Sequence, residues 1–534
     1  MNNDLFQTKG IFADITDPTV ATIYRTVCDK KMTADISGEY TLPDHLPEMR
    51  KLLRVSVIPT APSKFISGNS VQFGGGVDYN ICYVGADGKT YGTVFSGEYS
   101  FNAPFDPDAE YDVDRGLTAN ADIVTESVVG RVISARKLGL KARLCAKIMV
   151  IGITGGSLSP WVNDEAHAHT QKLMKSAEAF KNLIGSNDEI VLRDTLGASE
   201  GGERVVFSDC SVFIEEMRGG EGYVDCRGTV KVRYLMANDK DELPHTVEKR
   251  YSLSETVELE GMKEGAPCTA SCVCTGIETS SETEGDSIEC AIRMRLMVQG
   301  FVPENVNYVN DAYSTVCETA CRKSTAKLPV MSCCGIKNMT FDGSVPLEKL
   351  NLSASKDNIS IVAVSANASV ADIEYYENSD KAAANGTVTF NILYSSVLEG
   401  GKVELSSAET ELPFRLDGYD ASGRGKMAFC SACVFDSRAR LGASELEVGC
   451  EIALSCAATS ELEIDTVADV EVFGEAANGA GGISLCFPGS DDSVWSVAKK
   501  YRVPVDSVRR ENEIPAGYGD DAVEGLGNIK YLIV

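Results

Sequence analysis

Histidine is scarce in this sequence, which has only His45, His167, His169 and His245 among 534 residues. None of the four lies in a recognisable catalytic context, such as a nucleophile turn of the form G-x-S-x-G. His167 and His169 are two residues apart on a segment predicted to be helical, so their side chains would point in different directions and would not share a metal. The sequence therefore names no catalytic group, and we predict a non-enzymatic protein with no cofactor and no metal.

Basic residues are also few relative to acidic ones. The chain has 50 lysines and arginines against 78 aspartates and glutamates, which gives a formal net charge of −28. So acidic a surface is repelled by nucleic-acid phosphates and by anionic lipid head groups. We therefore expect no nucleic-acid partner.

Long apolar runs are missing as well. The most apolar stretch, residues 145–153, contains Lys147 and is much shorter than the roughly 20 residues that a membrane-spanning helix needs. The N-terminus has acidic residues where a signal peptide needs a basic start, and it lacks the apolar core of such a peptide. We therefore predict no membrane span and a cytoplasmic location.

Cysteine is the abundant reactive residue, with eighteen copies. In a long chain without an export signal these are predicted to be reduced and mostly buried thiols. Cys317, Cys321 and the adjacent Cys333 and Cys334 could in principle form a zinc or redox cluster, but the C-x-x-C spacing of structural zinc sites is missing there. Residues 430–433 do form a C-x-x-C, without the βαβ context of a redox motif. Regulated crosslinking stays open as an alternative.

Internal repetition is the strongest pattern. An alternating apolar strand occurs at residues 75–83, 228–236 and 386–394, so successive copies are 153 and 158 residues apart. A turn-like segment follows each copy, at 85–88, 238–241 and 399–401, which predicts antiparallel hairpins. A second apolar strand ends each repeat, at 147–150, 295–298 and 451–454. The glycines at 74–76 open a strand rather than a helix, so they do not indicate a phosphate-binding loop.

These matched strands predict a mainly β fold of three tandem antiparallel β domains with connecting helices, plus a small C-terminal βααβ domain. Leu173, Ala177, Phe180 and Leu183, with Ala166, are spaced for the apolar stripe of one helix over residues 163–184. Residues 474–482 contain four glycines and no large side chain, which predicts a flexible linker. The predicted order is a lead segment 1–35, domain 1 at 36–155, helix and linker 156–195, domain 2 at 196–305, connector 306–350, domain 3 at 351–473, linker 474–482 and a C-terminal domain at 483–534.

The last of these domains alternates at Ile483, Leu485 and Phe487, has a helix cap at Asp492 or Ser493, and begins a second helix near Pro504. Residues 492–501 (Asp-Ser-Val-Trp-Ser-Val-Ala-Lys-Lys-Tyr) and 503–512 resemble the LysM family. The resemblance implies a βααβ fold with a shallow groove that binds N-acetylglucosamine polymers. By position, the groove residues would be Asp491, Asp492, Ser493, Val494, Asn512, Glu513 and Ile514.

Two departures from the LysM pattern bear on the ligand. Glu513 replaces the usual proline, and the second loop is long and acidic. These changes suit a protein partner at least as well as a peptidoglycan glycan, and both alternatives stay open. Trp495 is a candidate either for the module core or for a contact residue.

The repeats themselves resemble the SPOCS domain of Firmicutes spore-coat proteins. The resemblance rests on the pairs Cys82-Tyr83 and Leu393-Tyr394, on residues 311–315 (Asp-Ala-Tyr-Ser-Thr), and on residues 46–53. Together with the LysM-like end, it implies a coat morphogenetic scaffold in the mother-cell cytoplasm that binds the coat basement-layer ATPase or other coat proteins at the forespore surface. Exposed sheet edges also suit self-association. The alternative is a LysM-mediated peptidoglycan-binding protein of the cell envelope.

Overall fold

A computed structural model describes most of the chain. The described residues are 21–105, 117–156, 169–197, 203–238, 243–281, 287–350, 359–397, 403–421, 426–475, 483–515, 520–522, 526 and 529–534. The fold is mainly β, and its sheets are antiparallel. No helix in this part of the chain combines the length and the apolar character needed to cross a membrane.

Nineteen strands form three successive groups, which we call units 1, 2 and 3. Unit 1 contains β1 (Ala21–Thr41), β2 (Met49–Pro59), β3 (Ser63–Ser67), β4 (Ser70–Gly85), β5 (Thr90–Pro104), β6 (Thr118–Ser134) and β7 (Lys137–Gly156). Unit 2 contains β8 (Thr170–Gly197), β9 (Arg204–Gly220), β10 (Tyr223–Ala237), β11 (His245–Glu258), β12 (Cys268–Ser281) and β13 (Ser287–Ser314). Unit 3 contains β14 (Cys317–Pro346), β15 (Ile359–Tyr375), β16 (Lys381–Val397), β17 (Val403–Asp420), β18 (Lys426–Leu441) and β19 (Glu445–Glu475).

Each unit pairs its strands in the same way. One sheet has the unit's last strand in the middle, in the orders β1-β7-β6, β8-β13-β12 and β14-β19-β18. The other is a meander around β4, β10 or β16, flanked by β2 and β5, β9 and β11, or β15 and β17, and the short β3 also pairs with β4. The strands that repeat in the sequence are therefore the central strands of the two sheets in every unit.

The alternation within those strands matches the burial of their side chains. Tyr79, Val232 and Phe390 lie at equivalent positions, and each is fully buried in the core of its own unit. The glycines that open two of these strands face aromatic rings: Gly75 lies opposite Tyr99, and a Cβ on Gly75 would come within 2.6 Å of that ring's hydroxyl. Glycine is required there because the ring of the neighbouring strand occupies the space of a side chain.

The helix predicted over residues 163–184 is wrong where the structure describes it. Residues 170–184 lie in β8, which pairs with β13 from Thr170–Ser314 to Gly197–Ser287. Leu173 and Leu183 are buried, as an apolar stripe would require, but Leu173 packs against residues of the C-terminal domain and Leu183 packs in the core of unit 2. The pairing supplied by the long partner strand overrides the local spacing. Residues 163–168 lie outside the described residues.

The segments predicted as leads and connectors supply strands instead. Residues 21–35 belong to β1, and residues 317–346 form β14. With β8, these are the first strands of the three units, and each pairs with the last strand of its unit. The turn at 85–88 is closed by a hydrogen bond from Gly85 N to Lys89 O. Residues 239–241 and 399–401 of the other predicted turns lie outside the described residues.

The three units close into a ring through three equivalent junctions. At each junction the start of the strand that follows the centre of the meander contacts the second strand of another unit: β5 contacts β9, β11 contacts β15, and β17 contacts β2. Arg204 donates to Thr90 O at 3.2 Å, Thr246 Oγ1 donates to Val362 O at 3.3 Å, and Lys51 Nζ donates to Ser406 Oγ at 2.6 Å. Because unit 3 also contacts unit 1, each unit contacts both of the others.

A shared apolar cluster, the hub, lies between the units. In each unit the second strand carries a β-bulge at the same register, and the extra residues are Leu53, Val206 and Val362. These residues pack with Leu235 and Leu393 of the meander strands. A bulge turns a side chain away from the regular pleat, so the repeated bulge directs one additional apolar residue per unit into the hub.

Two long ribbons leave the ring and form what we call the stalk, residues 170–182, 301–314, 317–330 and 460–475. Here β8 and β13 continue beyond the last pairing of β12 at Gly300, and β14 and β19 continue beyond that of β18 at Thr459. The ribbons pack on each other through small apolar clusters, including Val306 with Leu328 and Ile464. Fourteen residues at about 3.3 Å each extend the stalk roughly 45 Å.

Candidate functional site

The C-terminal module begins and ends with two short paired strands, β20 (Leu485–Cys486) and β21 (Leu532–Ile533). Between them lie α1 (Val494–Tyr501) and α2 (Val505–Glu511). Ser493 caps α1, because its hydroxyl accepts from Ser496 N while the Ser496 hydroxyl accepts from Ser493 N. Arg502 ends α1 in the left-handed conformation, at a φ of 55°. Pro504, the residue before α2, has no backbone N–H that would need a partner at the start of the helix.

Three of the candidate groove residues serve the module's own core and cap. Val494 and Ile514 are buried in one cluster with Trp495 and Leu532, so the structure brings together the two loops predicted to form the groove. Ser493 is also buried and is engaged as the helix cap. These side chains hold the module together and are not presented to a ligand.

Asn512 has a structural role as well. Its amide nitrogen donates to Val508 O and Ile533 O, both at 2.8 Å, and its amide oxygen accepts from Ile533 N at 2.7 Å. The side chain therefore fastens β21 to the end of α2. Asp492 accepts from Gly489 N and shapes the first loop. Asp491 and Glu513 are the groove candidates with exposed side chains.

Asp520 of the second loop contacts the start of α1. Trp495 N donates to Asp520 O at 2.8 Å, and Arg509 binds the Asp520 carboxylate and donates to Pro515 O. The backbone groups at this end of the predicted groove are thus partly used by the loop itself.

The alternating residues of the first strand face outward. Ile483 is 85% exposed, Leu485 is 56% exposed and Phe487 is 73% exposed, whereas Cys486 between them is buried. Tyr531, next to β21, is 54% exposed. One face of the module therefore presents apolar side chains to solvent, a property typical of protein interaction sites.

The opposite side of the module is docked on the stalk. Trp495 Nε1 donates to Asp311 Oδ2 at 2.9 Å, and Lys499 Nζ donates to the same carboxylate at 2.6 Å. The Trp495 ring meets the Tyr313 ring edge-on, with centroids 5.0 Å apart. Burial opposes the charge of Asp311, but the bonds from Lys499 and Trp495 outweigh it and hold the pKa of this carboxyl below its ordinary value.

Further bonds surround this contact. The Tyr313 hydroxyl donates to Val503 O at 2.7 Å, and Arg502 pairs with Glu318 at 3.1 Å. Lys175 of β8 pairs with Asp521 of the second loop at 2.8 Å. The flexible linker predicted over 474–482 lies outside the described residues except for its first two, Gly474 and Glu475, which belong to β19.

Asp311 and Tyr313 are functional residues that sequence reasoning did not assign to the site. They belong to the string 311–315, which we noted as a family-like motif. Trp495 is 5% exposed and joins the module core to the stalk. The sequence pattern that could have indicated this contact is an aspartate two residues before a tyrosine at the end of a strand. Nothing in the sequence indicates that the C-terminal module, about 180 residues later, binds this aspartate.

The remaining candidates from the sequence are the histidines and the cysteines. Among the described residues, no three histidine, cysteine, aspartate or glutamate side chains gather to hold a metal. His45, His169 and His245 are exposed, and His245 lies 3.2 Å from Glu203. His167 lies outside the described residues. All eighteen cysteines are free thiols, of which eleven are buried and seven half-buried.

A cavity of about 300 Å³ lies where β2 and β6 of unit 1, β9 and β12 of unit 2, and β15 and β18 of unit 3 converge. Its wall includes Asp209, Cys210, Cys274, Asn367 and Cys433.

No family model, curated protein or solved structure matches the chain.

Proposed function

We propose that this chain is a non-enzymatic scaffold and targeting protein of spore-coat assembly, with three β domains of the SPOCS type and a C-terminal LysM-type domain. The β units form the structural body, and the C-terminal module docks onto the coat basement layer at the forespore surface. The basement-layer ATPase, or another coat protein, is the proposed partner of the module.

The observation that carries this proposal is the position of the module. It is held at the end of a stalk, away from the hub, with its apolar sheet face turned to solvent. A targeting module has to be presented to its partner at a distance from the body that it recruits. The engagement of Asn512 and Asp520 within the module favours a protein partner over a glycan.

The test follows a fluorescent fusion of the full chain through sporulation in its own host. A shell around the forespore is expected for the full chain, and diffuse signal is expected for a chain that ends at Glu475. Phe487→Ser should also become diffuse, whereas Phe65→Ser, which alters a phenylalanine that is 66% exposed on β3, should keep the shell. Labelling of the vegetative envelope, with binding of the purified chain to peptidoglycan, would overturn the proposal in favour of glycan recognition.

A further inference from the structure

Cys430 and Cys456 face each other in unit 3. They are direct cross-strand partners in the β18–β19 pairing, and their Sγ atoms lie 2.8 Å apart. Directly opposed residues of antiparallel strands have Cα atoms about 4.5 or 5.5 Å apart. Both separations fall within the range of about 4.4–6.8 Å that a disulfide needs. The backbone therefore requires no rearrangement for these two sulfurs to be joined.

The two thiols lie next to the central cavity. Cys456 is fully buried and Cys430 is half-buried, and the adjoining residues Ser431 and Ser455 line the cavity wall. Because successive side chains of a strand point to opposite faces, the two sulfurs lie on the side of β18 and β19 that faces the core of unit 3. The half-buried Cys430 is therefore the thiol through which an oxidant would reach the pair.

The surroundings of Cys430 disfavour the thiolate form of its side chain. The hydrogen bond with Cys456 and burial raise the pKa of Cys430 well above its ordinary value, and the nearby Lys147 of unit 1 offsets only part of that increase. Since the thiolate is the attacking species, oxidation is expected to be slow at pH 7 and faster as the pH rises.

We propose that Cys430 and Cys456 are a modification site at which a disulfide oxidant of the glutathione class forms an intramolecular disulfide. The Cys430 thiolate attacks glutathione disulfide and releases one glutathione, which leaves a mixed disulfide. Cys456 then attacks the Cys430 sulfur and releases the second glutathione. Two thiol hydrogens and two electrons pass to the oxidant, and the new bond joins the two strands.

The bond closes a segment whose ends are 26 residues apart. A crosslink of this kind restricts the unfolded chain and so favours the folded unit. It is also internal to the chain, which separates it from crosslinks between copies. The redox poise around the protein would thereby set the stability of unit 3.

The test treats the reduced full chain with glutathione disulfide at pH 8.5 and maps the linked peptides by mass spectrometry. We expect loss of two of the eighteen thiols, one peptide pair joining Cys430 to Cys456, and a Tm higher by roughly 3–6 °C. Cys456→Ala should abolish the linkage, and the matched control Cys450→Ala, which alters a fully buried cysteine on the same strand, should keep it.

A second pair provides the sharpest alternative. Cys210 and Cys274 are hydrogen-bonded to each other and, unlike Cys430 and Cys456, both line the cavity. A linkage of these two in place of Cys430 and Cys456, a linkage between chains, or eighteen intact thiols after prolonged exposure would each overturn the proposal. The peptide map of the unmutated chain decides among them even where a variant fails to fold.

Discussion

The contact between Asp311 and the C-terminal module is the most direct target for mutation. Asp311→Ala removes the acceptor of the Trp495 indole N–H and the counter-ion of Lys499. A hydrogen bond to a charged group contributes about 1.5–3 kcal/mol. Because Lys499 is 43% exposed, its ion pair adds at most about 1 kcal/mol. We therefore expect docking to weaken by about 2–3 kcal/mol, or roughly 30- to 140-fold.

Tryptophan fluorescence can measure this change. The chain has two tryptophans, so Trp161→Phe leaves Trp495 as the single reporter. In a urea titration, the red shift of Trp495 emission should occur at lower urea in Asp311→Ala than in the parent. Asp506→Ala, which removes an exposed carboxylate from α2, is the control and should leave the transition in place. Equal transitions in all three proteins would refute the docking contact.

The pH dependence of docking gives the same residue a second readout. The pKa of Asp311 is lowered in the folded chain, from an ordinary value of 3.8. Its contribution is therefore fully present above about pH 4 and is lost as the pH falls through the lowered value. The Asp311→Ala variant should lack this acid-induced loss of docking.

Three further predictions concern the body and the module. Gly75→Ala should destabilise the chain by about 1–3 kcal/mol in urea unfolding, because its Cβ meets the cross-strand tyrosine, whereas Gly197→Ala, with open space around it, should be neutral. Arg54→Met should lower the urea midpoint of unfolding, because it removes a half-buried guanidinium that lies over the Phe207 ring of unit 2 at 4.4 Å, and its loss weakens the contact between units 1 and 2. Asn512→Ala should lower the temperature at which the C-terminal module unfolds in calorimetry to below that of the β units, since the three hydrogen bonds of this side chain to the backbone disappear.

Those features that depend on local pattern could be predicted from the sequence. The alternation at 228–236 corresponds to β10, and the cap at Ser493 corresponds to the start of α1. Residues 170–184 could not be predicted, because the apolar spacing fits a helix and only the long partner strand β13 makes it β8. The bulges at Leu53 and Val206 likewise leave no mark in the sequence, since a bulge is defined by the partner's register.

The sequence predicted a groove between two loops of the C-terminal module, and that assignment stays a prediction. The sequence located the module and its two loops, and the structure places Val494 and Ile514 together. The sequence could not reveal that the Asn512 side chain is hydrogen-bonded to β21, or that Asp311 is hydrogen-bonded to Trp495, because both contacts join segments that are distant along the chain. The long-range contacts decide which side chains remain exposed.

Closure of the ring has a consequence for synthesis of the chain on the ribosome. The part of β2 that lies in the hub contacts β17, which begins at Val403 and is synthesised about 350 residues later. At about 5–20 residues per second, this delay lasts roughly 20–70 s. During that time the nascent chain carries an uncovered apolar edge around Leu53, so folding in the cell depends on what shields this edge until the third unit emerges.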